Sequence, residues 1–237
     1  MGGLTATTPK PLLALRGRPI IEHILLGLRA AGMRDIVIVT GYRGEQIEAH
    51  FGDGTRVGLR LTYRRQTHAE GTARALRLAR DALSKQPFVV TWGDVVIEPT
   101  EYGALLDEFS RAPCDVLLTL NEVDDPWRGA AVYVDDDWRV TRLIEKPPAG
   151  SSRTRWNNAG IFVFTPLIFE YIERLPPSTR GEYELPEAIA AMLADRRVVR
   201  ARPLRGFWSD LGTPEDLDAA EQVFQPAYGD ATTGDDR

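Results

Sequence analysis

Two lysines stand in matching settings, Pro9-Lys10-Pro11 and Glu145-Lys146-Pro147. Of 29 basic residues only Lys10, Lys85 and Lys146 are lysines, so 26 are arginines (29 − 3). Arginine is a broad planar fork, whereas lysine is a compact point charge on a flexible stem that can reach one phosphate oxygen in a tight space. Flanking prolines stiffen the backbone and lower the ordering cost of aiming that charge. Either lysine alone also reads as an ordinary loop residue. The pair, with the carboxylates described next, points to two phosphate-directed ammonium groups.

Asp94 follows Trp92-Gly93 at the end of the apolar run 88–91. In open α/β sheets ligands bind at the carboxyl ends of strands. A carboxylate there can hold Mg²⁺, a hard ion that prefers oxygen and bridges to substrate phosphate. Asp210, within Phe207-Trp208-Ser209-Asp210-Leu211-Gly212-Thr213, has the same setting. Each aspartate alone reads equally as a turn or helix-cap residue. Asp135-Asp136-Asp137 contains a D-x-D, the pattern that binds a metal–nucleotide pair in some glycosyltransferases. Its place between two alternating segments favours a solvated hairpin turn. Gln66 followed by Gly71-Thr72-Ala73 reads as a loop entering a helix N-terminus, where backbone amides can approach a ligand and a Gln can read a base edge. The chain lacks both G-x-G-x-x-G and G-x-x-x-x-G-K-[ST], which argues against a dinucleotide-dependent dehydrogenase and a P-loop NTPase. His23, His50 and His68 show no metal spacing, and no Ser–His signature is present.

These residues need elements to position them. In the first half, helices are expected over 20–28, 45–50, 71–83 and 100–110, and strands over 35–40, 59–63, 88–91 and 115–120. The β-branched run 35–40 suits a strand buried on both faces. This βαβα order implies a Rossmann-like, doubly wound, mostly parallel α/β sheet. The second half reads as an α+β lobe. It holds a hairpin of 130–135 and 140–144, strands over 160–164, 198–201 and 207–210, and helices over 166–174, 184–194 and from Pro214 onward.

The 237 residues suffice for a substantial core, with residues 1–225 as one domain and 226–237 as a frayed tail. A net charge of −5 with no block of like charge argues against a nucleic-acid partner. Any phosphate must therefore be held by a few local cations and backbone amides. Cys114 is the single cysteine, which excludes an internal disulfide. No apolar run approaches membrane-spanning length, so a cytoplasmic protein without a membrane partner is expected.

Taken in order, the motifs resemble the bacterial sugar nucleotidylyltransferases, the family of glucose-1-phosphate thymidylyltransferase and mannose-1-phosphate guanylyltransferase. The matching stretches begin with Leu4-Thr5-Ala6-Thr7-Thr8-Pro9-Lys10-Pro11-Leu12-Leu13 and Gly17-Arg18-Pro19-Ile20-Ile21-Glu22-His23. They continue through Val39-Thr40-Gly41-Tyr42, Gln66 with Gly71-Thr72-Ala73, and Gly93-Asp94. They end with Glu145-Lys146-Pro147, Asn158-Ala159-Gly160-Ile161, Gly181-Glu182-Tyr183-Glu184-Leu185 and Phe207 to Pro214.

The resemblance implies transfer of a nucleotidyl group from an NTP to a sugar 1-phosphate, with Mg²⁺ as cofactor. In that reading Lys10 and Asp94 are catalytic, and Asp94 and Asp210 hold Mg²⁺. Gln66 and Gly71 contact the base, with Thr72 beside them among the substrate-binding residues. Glu145 binds sugar hydroxyls, Lys146 the sugar phosphate, and Asn158 and Gly160 line the sugar pocket. A homo-oligomer is compatible with it. The family's pattern opens with a buried strand and a G-x-G-T-R loop around the NTP phosphates, whereas this sequence opens with Met1-Gly2-Gly3-Leu4, after that point. A strand and its loop, roughly 15 residues, would be absent from mid-sheet, leaving two neighbours with unpaired backbone groups. The family's sugar-contacting R-Y-G reads Arg128-Gly129-Ala130 here. Two other readings remain: an inactive or regulatory nucleotide-sugar-binding homologue, and a D-x-D glycosyltransferase.

Overall fold

The computed structural model describes residues 7–226 and Tyr228. Leu4 to Ala6 of the first motif, and most of the segment read as a tail, lie outside the described residues. After a 3-10 turn at Lys10–Leu12 come strands β1 (Ala14–Leu15) and β2 (Arg18–Pro19), then helix α1 (Ile20–Ala30). Strand β3 (Asp35–Thr40), helix α2 (Gly44–Phe51) and strand β4 (Arg60–Arg65) form a parallel βαβ unit. Helices α3 (Thr72–Arg77) and α4 (Arg80–Leu83), strands β5 (Phe88–Thr91) and β6 (Val96–Ile97), helix α5 (Thr100–Arg111) and strand β7 (Val116–Glu122) complete the first half.

The second half holds strands β8 (Ala130–Val134), β9 (Val140–Glu145) and β10 (Trp156–Phe164), then helices α6 (Ile168–Arg174) and α7 (Leu185–Ala194). It closes with strands β11 (Val199–Pro203) and β12 (Trp208–Ser209) and helix α8 (Pro214–Val223). A capping box between Thr213 and Asp216 starts α8, with Pro214 in its first turn.

The main sheet runs β11-β7-β10-β8-β9, with β5 also on β10. The α/β, Rossmann-like class expected from the sequence holds, with mixed pairing. β11–β7 and β3–β4 are parallel, while β10 is antiparallel to β5, β7 and β8. Burial is continuous along most of β7 and β10, with successive side chains pointing to opposite faces, as a sheet covered on both faces requires. Val116, Leu118, Leu120, Phe162 and Phe164 pack against α3, α6 and α7, while Leu117, Ile161 and Val163 pack against α1 and α5.

Two expected elements differ. The helix expected over 71–83 breaks into α3 and α4, because Leu78 and Ala79 donate to carbonyls three residues back and tighten the turn. The strand expected over 160–164 begins earlier, at Trp156. Its register shifts between Asn158 and Phe162, where Gly160 has φ +85°. This bulge lets β5 pair with the later half of β10 and β8 with the earlier half, on the same side.

The two sheets do not join between β3 and β5. Among the described residues β3 pairs only with β4, and β5 only with β10. Helix α1 bridges them instead, with Ile24 and Leu28 facing the main core and Ile21 and Leu25 facing Ile38, Ile47 and Phe51. Between the two strands lies a cavity of about 1490 Å³, larger than the ~300–1,000 Å³ of ordinary ligand pockets.

Candidate active site

Residue types that the sequence scatters meet at one end of the sheets. The 3-10 turn begins with Pro9 as cap and Pro11 inside it, which fixes the base of the Lys10 side chain. Lys10 Nζ then reaches Asp94 Oδ2 at 2.8 Å and the main-chain carbonyl oxygen of Asp210 at 3.1 Å. Asp94 lies just beyond β5, and Asp210 just beyond β12. The next residue, Leu211, is fully buried with φ +43°, a conformation that costs a branched side chain energy and persists only where packing enforces it. The Asp210 carboxylate accepts from the Gly212 amide at 3.3 Å.

The structure thus brings Lys10, Asp94 and Asp210 to one place. Among the described residues no group of three or more His, Cys, Asp or Glu side chains lies together as a ready-made metal cage. The Asp94 carboxylate, with Asp210 held beside it through its backbone on the same ammonium, still suits a hexacoordinate hard cation that completes its shell with water and substrate phosphate. Asp135 to Asp137 form the hairpin turn between β8 and β9, where Asp135 Oδ1 accepts from the amides of Asp137 and Arg139.

The loop before α3 is stitched to the segment before α7. Gln66 Nε2 donates to the Gly71 carbonyl at 3.1 Å, and the Thr72 hydroxyl accepts from the Leu185 amide at 2.9 Å. Tyr183 and Ala73 add backbone hydrogen bonds across the same seam. Gly71 has φ +100°, and a Cβ there would come within 2.5 Å of the Tyr183 carbonyl. No side chain fits, so glycine is required by both φ and space.

A second group gathers around the end of β9. Glu145 is largely buried, 3.8 Å from Arg180, which pairs with Glu184 at 2.6 Å. Burial, and then the Glu184 charge, push the Glu145 carboxyl up to about 7. Burial alone would raise Glu184 too, but the Arg180 hydrogen bond and charge leave it below the usual carboxylate range. Lys146 is exposed, with φ +43°, and its amide donates to the Gly129 carbonyl at 2.7 Å. The lysine is thus held in a left-handed bend beside the buried carboxylate. Asn158 Oδ1 accepts from the Gly160 amide at 3.1 Å. Gly160 leaves room for the Trp92 ring, which a Cβ would meet at 2.4 Å.

The sequence-derived candidates therefore fall into three groups, Lys10–Asp94–Asp210, Glu145–Lys146 and Gln66–Gly71–Thr72, with Asn158 and Gly160 on β10 beside Trp92. No hydrogen bond or ion pair joins Lys146 to the first group among the described residues. Trp92 lies two residues before Asp94 and against Gly160, linking the first group to β10. Sequence reasoning assigned no role to Arg180, Glu184 or Trp92. Arg180 and Glu184 flank Gly181-Glu182-Tyr183, a stretch the family resemblance had already marked.

Comparison with known proteins fits this arrangement. The family profile described as Nucleotidyl transferase matches residues 1–225. The chain belongs to the nucleotidyl transferase family. It is 34% identical over 221 residues to the low-salt glycan biosynthesis nucleotidyltransferase Agl11 of Haloferax volcanii, covering 93% of this chain and 61% of that protein. It thus spans about three fifths of that relative's length. It is 33% identical over 233 residues to the UTP–glucose-1-phosphate uridylyltransferase AglF of the same organism, covering 97% of this chain and 93% of that one. A solved Bacillus anthracis structure, of a protein provisionally named a glucose-1-phosphate thymidylyltransferase and holding a sucrose, superposes with a TM-score of 0.84 at 29% identity. That match covers 94% of this chain and 89% of the other.

Proposed function

We propose that this nucleotidyl transferase joins an NTP to a sugar 1-phosphate, releasing pyrophosphate and a nucleotide sugar. The observation that carries this reading is the single ammonium of Lys10, bound at once to Asp94 and to the Asp210 backbone. The sugar-phosphate oxygen forms a bond to the α-phosphorus as the bond to the β-phosphate oxygen breaks. The nucleophile is already an anion, so no general base is required, and a site without a catalytic His or Ser is adequate. What the protein must supply is alignment and neutralisation of crowded negative charge.

Lys10 faces the phosphates that react, while Lys146 faces the sugar phosphate. Glu145, held near neutrality by burial, hydrogen-bonds sugar hydroxyls, and Asn158 and Gly160 shape the wall beside it. Gln66, Gly71 and Thr72 form the edge that receives the base. Asp94 and Asp210 would hold Mg²⁺, which when bound supplies charge neutralisation at the phosphates. Among the described residues no helix is long and apolar enough to cross a membrane. We place the enzyme in the cytoplasm, and its assembly in solution, as monomer or homo-oligomer, is read by sedimentation.

Pyrophosphate release, screened over NTPs and sugar 1-phosphates with Mg²⁺ titrated, tests the reading. Turnover with one pair supports it. Absence of turnover with every pair, together with tight nucleotide-sugar binding, establishes the second reading, a binding homologue.

A further inference from the structure

A tryptophan stands two residues before each of the two candidate aspartates, Trp92 before Asp94 and Trp208 before Asp210. The two come from distant parts of the chain and meet β10 at neighbouring residues. The Trp208 indole N–H donates to the Ala159 carbonyl at 2.9 Å. The Trp92 amide donates to the Gly160 carbonyl at 3.2 Å, and its ring closes on Gly160 so that a Cβ there would run into the ring's Cδ1.

This stretch of β10 needs outside support. Its pairing with β7 is interrupted between Asn158 and Phe162, and Gly160 sits at φ +85°. A bulge frees backbone groups from the ladder, and buried ones must be satisfied from elsewhere. Asn158 Oδ1 takes the Gly160 amide, Trp92 serves the Gly160 carbonyl, Trp208 the Ala159 carbonyl, and the Thr119 hydroxyl the Ile161 carbonyl. A phenylalanine at 208 could still pack against the apolar cluster of Leu117 and Ile161, but it would leave the Ala159 carbonyl without its donor.

The contacts close a ring. Trp92 opens a turn that holds Asp94, in which the Val95 amide donates to the Trp92 carbonyl at 3.4 Å. The chain leaves this turn as β6, which pairs with β12, Val96 opposite Ser209 and Ile97 opposite Trp208. Strand β12 delivers Asp210, and its Trp208 returns to Ala159, next to Gly160. Lys10 spans the ring by holding the Asp94 carboxylate and the Asp210 carbonyl. Asn158, the sugar-side candidate, sits on the bulge itself.

The geometry points to Trp92 and Trp208 as paired positioning residues that, through the bulge at Ala159 and Gly160, fix the Lys10–Asp94–Asp210 group against the Asn158 wall. The inference rests on the nucleotidyl-transfer reading, in which the first group faces the nucleotide phosphates and the wall faces the sugar. The tryptophans touch neither substrate. They set the distance between two subsites that one reaction must bring together.

The test uses the full chain with Trp208→Phe, which keeps a ring and removes the N–H, and Trp92→Phe, which shortens the ring against Gly160. Trp138→Phe, in the exposed hairpin turn, is the control. Amide exchange is read first, without ligand. Trp208→Phe is expected to speed exchange of the Trp92 amide about tenfold, although the bond it removes is to Ala159. Trp92→Phe should likewise speed exchange of the Trp208 indole N–H, and the control should do neither. Unchanged exchange at the opposite tryptophan in the folded variants overturns the proposal.

Binding is read second. UDP-glucose, dTDP-glucose and GDP-mannose are titrated, and the tightest is compared with its nucleoside monophosphate and its sugar 1-phosphate added separately. Either variant should weaken the joined ligand about tenfold or more and each half less than about threefold, because displaced subsites penalise only a ligand that must span both. Equal losses for the whole and the halves make the tryptophans structural and overturn the proposal. If no nucleotide sugar binds the wild type, the nucleotidyl-transfer reading fails, and the exchange arm still decides whether the two tryptophans are coupled. If the wild type binds and turns over but the variants match it in exchange and in spanning affinity, the coupling fails and that reading stands.

Discussion

Lys10 Nζ lies 2.8 Å from Asp94 Oδ2 and 3.1 Å from the Asp210 carbonyl oxygen, so one ammonium ties together segments from the start, middle and end of the chain. In the proposed reading a group so placed would face charge that develops during phosphoryl chemistry, whereas Lys146, exposed beside Glu145, would face a ground-state ligand. The two lysines should therefore fail differently. Lys10→Ala is expected to lower kcat by about 10²–10³, the range seen when one preorganised charge-stabilising donor is removed. Lys146→Ala should chiefly raise KM for the sugar phosphate. Steady-state kinetics decide, and equal rises in sugar-phosphate KM with kcat intact defeat the assignment.

The two aspartates make different contacts with Lys10, and that separates their tests. Asp94 uses its carboxylate, while Asp210 uses its backbone, leaving its own carboxylate to the Gly212 amide or to a cation. Asp94→Asn should weaken both the lysine contact and the Mg²⁺ response. Asp210→Asn should leave the lysine contact in place and shift only the Mg²⁺ response, at a cost of several kcal/mol of transition-state stabilisation if the ion is catalytic. Rate against Mg²⁺ concentration reads both, and an unchanged titration in either variant makes that aspartate structural.

Much of this organisation was legible in the chain. The β-branched run over 35–40 became β3, and the apolar run over 88–91 became β5, each followed by loop residues at the ligand edge. Strand partners were not legible, because a continuous apolar run suggests that both faces are covered and not which neighbour covers them. Strand β3, expected to be buried on both faces, is in fact only partly buried, with Asp35 exposed and Ile36, Val37 and Val39 half-exposed, and β5 is likewise half-exposed beyond Phe88. The bulge at Gly160 was hidden for the same reason. A glycine at the start of an apolar run looks like a strand boundary until a long partner extends past it. Burial of Glu145 was illegible too, since it depends on Arg180 and Glu184 arriving from a later segment. That Lys10, Asp94 and Asp210 would come together was readable because residue type and strand-end context single them out, whereas their roles are what the kinetic predictions test.

Glu145 gives the molecule a pH dependence with a definite sign. Its carboxyl is raised from 4.5 to about 7 by burial and the Glu184 charge, so the folded state holds a proton the unfolded chain releases. The resulting stabilisation is fully present below pH ~4.5 and is lost as pH rises through about 7, by at most about 3 kcal/mol. Glu184 works in the opposite sense, its lowered carboxyl stabilising the fold above its unfolded value. Thermal melts of the wild type and Glu145→Gln between pH 4.5 and 8 isolate the term. The variant should gain relative to the wild type as pH rises, and parallel curves mean that Glu145 titrates normally.

Gly71 and Gly150 separate two reasons for needing glycine. Both lie at positive φ, +100° and +72°. A Cβ at Gly150 meets nothing within 4 Å, so Gly150→Ala carries only the backbone strain, about 1–2 kcal/mol for an L-residue. A Cβ at Gly71 meets the Tyr183 carbonyl oxygen, nitrogen and carbonyl carbon at 2.5, 2.7 and 2.9 Å, and backbone cannot rotate away as a side chain can. Relief requires parting the seam in which Ala73 donates to Tyr183, Tyr183 donates to Glu70 and Leu185 donates to Thr72. Each such hydrogen bond contributes about 1 kcal/mol net, and more where a buried group is stranded. Gly71→Ala should therefore cost about 3 kcal/mol or more by urea denaturation, clearly beyond Gly150→Ala. It should also weaken nucleotide binding, because the same loop carries Gln66. Equal losses for the two variants would show that the seam yields easily and that the loop is not held by Tyr183.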